Sequence, residues 1–69
     1  MVISVFKTNI SEKNLSQLDS KFSQVQEVID WNTDLDDCDK VLRVVSRVDI
    51  SSLVPSLLKE MNLECKELK

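Results

Sequence analysis

The sequence predicts an α+β domain in which four strands and two helices follow one another as βαββαβ. Three observations carry that expectation: two amphipathic helical stripes, four short segments suited to strands, and no linker or repeat between them. With 69 residues the chain has room for one domain, taken as 1–69. Its 42% apolar and 30% charged residues are a globular balance.

Residues 2–7 are rich in Val, Ile and Phe with partial alternation, the pattern of a first strand. Leu15, Leu18, Phe22 and Val25 then recur at spacings of three and four, which puts them on one helical stripe. Ser11 stands in the N-cap position, with Ile10 and Leu15 as the hydrophobic staple around it. Residues 28–33 predict a second strand with Val28, Trp31 and Thr33 facing inward after a small irregularity. Asp34 to Asp39 read as a polar hairpin tip. Residues 40–46 are apolar on both faces, as a central strand requires. Leu53, Leu57, Leu58 and Met61 form the second helical stripe, with Ser51 as its expected cap. Pro55 falls at the edge of the first turn, where a missing N–H costs least. Asn62 suits the left-handed position after the helix, where Asn substitutes for Gly. Residues 63–68 alternate and predict a last short strand, with Leu63, Cys65 and Glu67 on one side. Right-handed crossovers fold this order into a four-stranded antiparallel sheet, strand order 4-1-3-2, with both helices on one face. That arrangement is a ferredoxin-like sandwich.

Composition narrows the function. Histidine and tyrosine are absent, which removes the commonest general base and metal ligand and every Ser/His or Cys/His triad. Glycine is absent too, so no Gly-rich phosphate loop exists. The expectation is a non-enzymatic chain without a cofactor. Twelve carboxylates against nine Lys and Arg give a net charge of -3, and the cations are scattered, which argues against nucleic-acid binding. No apolar run approaches the roughly 20 residues of a membrane span, and Met1 to Phe6 is too short for a signal peptide. A cytoplasmic location is expected. Cys38 and Cys65 would then stay reduced.

Three stretches carry a family resemblance. Phe6-Lys7-Thr8-Asn9-Ile10 with the following helix is one. Trp31-Asn32-Thr33-Asp34 through Asp39-Lys40-Val41-Leu42-Arg43-Val44 is the second, and Leu57 to Cys65 is the third. Together they resemble the heavy-metal-associated domain of copper chaperones and metal-pumping ATPases, over nearly the whole chain. The resemblance implies a ferredoxin-like fold, partner contacts at the end of the sheet where the first loop lies, and a Cys-x-x-Cys pair holding a soft ion in that loop. Aligning the helical stripe puts the cysteine positions at Ser11 and Asn14, and the motif here reads Ser11-Glu12-Lys13-Asn14. Soft ions select thiolates, and neither serine nor asparagine supplies one. No metal is therefore expected at Ser11 and Asn14. A hard-cation site from Ser11, Glu12 and Asn14 is short of the several carboxylates such ions require.

Other candidates are weighed against plainer roles. Asp34, Asp36, Asp37 and Asp39 are the densest charge cluster. Counted from Asn32, an EF-hand loop fails: Asp37 holds the position that wants Gly, and Arg43 the position that wants Glu. The cluster is either a solvated turn or a docking patch for a basic partner. Cys65 is expected in the core as a small apolar residue. Cys38 is expected exposed, with no bridge to Cys65. Trp31 is expected in the core, an exposed position being the mark of a partner anchor instead. The reading is a small non-enzymatic binding domain that works through contacts with an unidentified protein partner, without nucleic acid or membrane. Its rival is a copper-chaperone-like domain holding a soft metal through Cys38 or Cys65, between two chains. Nothing in the sequence sets the oligomeric state.

Overall fold

The computed structural model describes residues 1–68. Its elements are β1 (Val2–Thr8), α1 (Leu15–Ser23), β2 (Val28–Asp34), β3 (Val41–Ser46), α2 (Leu53–Glu60) and β4 (Cys65–Glu67). The strands make one antiparallel sheet in the order β2-β3-β1-β4. This is the expected ferredoxin-like arrangement.

Side-chain alternation fixes the register. Ser4, Phe6 and Thr8 are buried while Ile3 and Lys7 are exposed, so β1 turns its even-numbered residues to the core. Opposite them, Leu42 pairs with Phe6 and Val44 with Ser4, and both are fully buried. A one-residue slip would carry this whole set to the other face. In β2, Val28 lies opposite Ser46 and Asp30 opposite Val45, which leaves Ile29 as the extra residue of a bulge. The bulge is the irregularity the sequence requires to keep Val28, Trp31 and Thr33 on the inner side.

The core is formed by Phe6, Ile10, Leu18, Phe22, Leu42, Val44, Ile50, Val54 and Leu58. Trp31 is half-buried against it, its ring centroid 5.4 Å from that of Phe22 at 48°. Tilted aromatic pairs of this kind contribute about 0.5–1.5 kcal/mol beyond area burial. At the surface, Lys21 Nζ lies 3.4 Å from Glu60 Oε2 and ties α1 to α2, a contact worth at most about 1 kcal/mol.

Three local expectations are corrected. Helix α1 stops at Ser23, and Val25 lies in the turn beyond it. The Ser23 hydroxyl donates to the Ser20 carbonyl at 2.9 Å, a local bond that competes with the helical ladder. The stripe of α2 runs through Ile50, Val54, Leu57, Leu58 and Met61, and Leu53 is 38% exposed at its margin. Ser51 does not cap α2. The Asp49 carboxylate accepts the Ser51 N–H at 2.9 Å, and the Ile50 carbonyl accepts the N–H groups of Leu53 and Val54. That turn sets the helical phase one position away from the simple Leu repeat. Pro55 is nevertheless within the first turn, and Asn62 has the expected left-handed backbone at φ 60°. Among the described residues no helix is long and apolar enough to cross a membrane.

Candidate functional site

The C-terminal end of β1 brings the first loop and the acidic hairpin together, and Thr8 is the fastening. Its side chain is buried. The hydroxyl donates to the Lys40 carbonyl and accepts the Ile10 N–H at 3.2 Å, while the Thr8 N–H donates to the Asp39 carbonyl at 3.0 Å. One residue thus serves the hairpin and the loop at once. Sequence reading passes over Thr8, because its hairpin partners Asp39 and Lys40 are remote in sequence. Its only local signal is a β-branched polar residue at an inward strand position.

The hairpin tip has internal structure. Asp37 accepts the Asp39 N–H on its side chain at 2.8 Å and the Lys40 N–H on its carbonyl at 3.0 Å. Lys40 sits at φ 47°, a left-handed position usually given to Gly or Asn. In a chain without glycine a lysine fills it, and its Nζ donates to the Leu35 carbonyl at 3.2 Å. Lys7 Nζ lies 3.4 Å from Asp39 Oδ1 across the strand end. Asp37 and Asp39 therefore hold the turn, whereas Asp34 and Asp36, which precede it, are exposed carboxylates.

In the first loop, Ser11 has an extended backbone and precedes a single 3-10 turn, Glu12–Asn14, that leads into α1. The Asn14 side-chain oxygen accepts the Ser11 N–H at 2.9 Å and the Ser11 hydroxyl at 3.0 Å. Asn14 N–H in turn donates to the Ser11 carbonyl at 2.9 Å. Ser11 and Asn14 close on each other as a helix-entry device. A groove of about 480 Å³ separates this loop from the hairpin, lined by Ser11, Glu12, Lys13, Leu35, Asp36 and Lys40. Its walls alternate in sign, Glu12 and Asp36 against Lys13 and Lys40.

Both cysteines are free thiols. Cys38 is exposed, and its sulfur and the Asp37 and Asp39 carboxylates lie within 4.8 Å of one another. Cys65 is half-buried and packs against the core. Burial, with the Glu67 carboxylate adding to it, pushes its thiol up to about 11, so it stays protonated at neutral pH. A hydroxyl and a carboxamide, the groups that Ser11 and Asn14 offer, do not fit a soft ion, which binds thiolate. Comparison with protein-family models, with curated proteins and with solved structures finds no match to this chain.

Thr8→Val keeps the shape of the side chain and removes its hydroxyl. Leaving the buried Ile10 N–H and Lys40 carbonyl short of a partner is expected to cost about 1–3 kcal/mol. Urea unfolding should show the midpoint falling at an unchanged slope. A wild-type midpoint would mean that backbone bonds alone hold the hairpin to the loop.

Proposed function

We propose that this chain is a non-enzymatic binding domain that meets a protein partner through the first loop and the acidic hairpin. In this reading it is a heavy-metal-associated scaffold in which the ligand pair has become Ser11 and Asn14. The observation that carries it is the mutual bonding of those two residues, which spends their polar atoms on each other instead of on an ion. The groups of the groove support it as well. No histidine stands among them, and the ammonium of Lys40 is bound to a backbone carbonyl within its own turn. Asp36, exposed at the rim, suits a basic partner, whose approach it would steer.

The rival reading, a metal-trafficking domain, has the exposed Asp37–Cys38–Asp39 cluster in its favour. Cu(I) competition against a chelator separates the two. The expected result is no one-to-one site at the loop, in the native chain or after Cys38→Ser with Cys65→Ser. A tight site that survives both substitutions sinks the proposal, and one lost with Cys38→Ser alone favours the rival. For the partner, cross-linking in the source cell and rebinding of the captured protein should show Asp36→Lys slowing association, more at low salt than at high.

A further inference from the structure

The sheet has helices on one face only, and its other face carries a pattern of its own. Strand register places the outward residues in rows. Ile29 and Asp30 of β2 lie beside Val45 of β3 and Ile3 of β1. In the next row Asn32 faces Arg43, Arg43 faces Val5, and the Leu68 N–H donates to the Val5 carbonyl at 2.8 Å. Asp34 lies beside Val41 at the far end of β2 and β3, and Lys7 beside Lys66 on β1 and β4. Three of these side chains are large, apolar and well exposed: Ile3 at 60%, Ile29 at 51% and Leu68 at 40%. Val5, Val41 and Val45 are half-buried among them.

Charge on this face is segregated. The carboxylates, Asp30 and Asp34, are on β2 at one edge. The cations Lys7 and Lys66 are on β1 and β4 toward the other, with Arg43 between. Such a face can meet a copy of itself with its carboxylate edge against its cationic edge. A two-fold axis parallel to the strands lays β2 of one copy over β4 of the other and β3 over β1. Asp34 then meets Lys66 of the second copy twice over, and Val45 meets Ile3. Sheets pack face to face in this aligned way, with apolar residues between them.

We propose that the open sheet face is a self-association surface whose occupant is a second copy of this chain, placed by that two-fold axis. A sheet of four strands about 4.8 Å apart covers roughly 20 by 20 Å, most of the broad face of a molecule measuring 27 × 25 × 17 Å. Two such faces, roughly 400 Å² each, bury about 800 Å², in the range of weak, transient interfaces. An interface of that size suits a weak dimer that forms only as concentration rises. The face shares no residue with the lining of the groove, but it adjoins the hairpin through Asp34 and through Lys7, which pairs with Asp39.

Sedimentation equilibrium of the full chain, from micromolar to about 1 mM, tests the assignment. The native chain should pass from monomer to dimer within that range. Ile3→Lys should remain monomeric throughout while keeping the native circular dichroism spectrum, since Ile3 contributes little to the core. Asp34→Lys and Lys66→Asp should each weaken the dimer about tenfold. Combined in one chain they restore the opposite charges across the axis and should recover native affinity, which a merely destabilising pair would not do. A native chain that stays monomeric at about 1 mM overturns the proposal, including the case in which Ile3 instead serves a lipid surface or another protein. So does a dimer indifferent to Ile3→Lys, or a charge swap that fails to recover.

Discussion

Phe6→Ala is expected to bring the chain to the edge of unfolding at room temperature. Phe6 is fully buried in β1, between Leu42 on β3 and Glu67 on β4, so it lies at the middle of the sheet and under both helices. Truncating a buried Phe costs about 3–5 kcal/mol, the cavity included. A domain of 69 residues has only about 3–10 kcal/mol of total stability at the usual 0.05–0.15 kcal/mol per residue. One truncation therefore removes between about a third and all of what there is. Trp31, half-buried 5.4 Å from Phe22, supplies the probe. Its emission should report the unfolded environment at low urea in the variant and a cooperative transition in the native chain. Ile3→Ala, three residues away on the opposite face, should change the unfolding free energy by no more than about 0.5 kcal/mol. Were the two substitutions to change places in severity, the register of β1 would be one residue from that described.

The contrast between Phe6 and Ile3 shows how far a sequence of this kind can be read. Alternation in β1 and the apolar run of β3 are properties of neighbouring residues, and they predict element type and strand order because crossover handedness leaves few topologies. The limits appear where the deciding contact is remote or a local bond wins. Val25 continues the helical period of Leu15, Leu18 and Phe22, yet the Ser23 hydroxyl bond ends the helix before it. Leu53 fits the period of Leu57, yet the turn closed by Asp49 and Ile50 rotates the stripe past it. At the candidate site the i, i+3 spacing of Ser11 and Asn14 is legible, whereas their bond to each other is a matter of rotamers. Thr8 is hidden for a plainer reason: its partner Lys40 lies in the β2–β3 hairpin, far along the chain, and no periodicity marks such a bond. The acidic tip reads as four equivalent aspartates until the turn separates Asp37 and Asp39, which build it, from Asp34 and Asp36, which do not.

Ser11→Cys combined with Asn14→Cys is expected to turn the loop into a tight soft-metal site. The side-chain oxygens of these residues already lie 3.0 Å apart. Zinc–thiolate bonds are about 2.3 Å long, so two thiolates spanning one ion need a separation of at most about 4.6 Å. A cysteine sulfur at position 14 sits one atom nearer the backbone than the Asn14 oxygen, and rotation about χ1 sets its separation from the sulfur at position 11. The environment favours the thiolate form, since Lys13 lies between the two positions and the helix that follows presents its N-terminal dipole to them. Loss of the Ser11–Asn14 bonds should cost about 1 kcal/mol in the metal-free variant. Ion binding to the folded state then raises stability in proportion to affinity. With Cys38→Ser and Cys65→Ser in the background, Cu(I) competition should give one ion per chain, thiolate-to-copper absorption in the ultraviolet, and a urea midpoint above that of the native protein. The native chain should show none of these. A double-cysteine variant that keeps the native circular dichroism spectrum but leaves the copper with the chelator would place the resemblance in the scaffold alone and detach this loop from the metal-binding geometry.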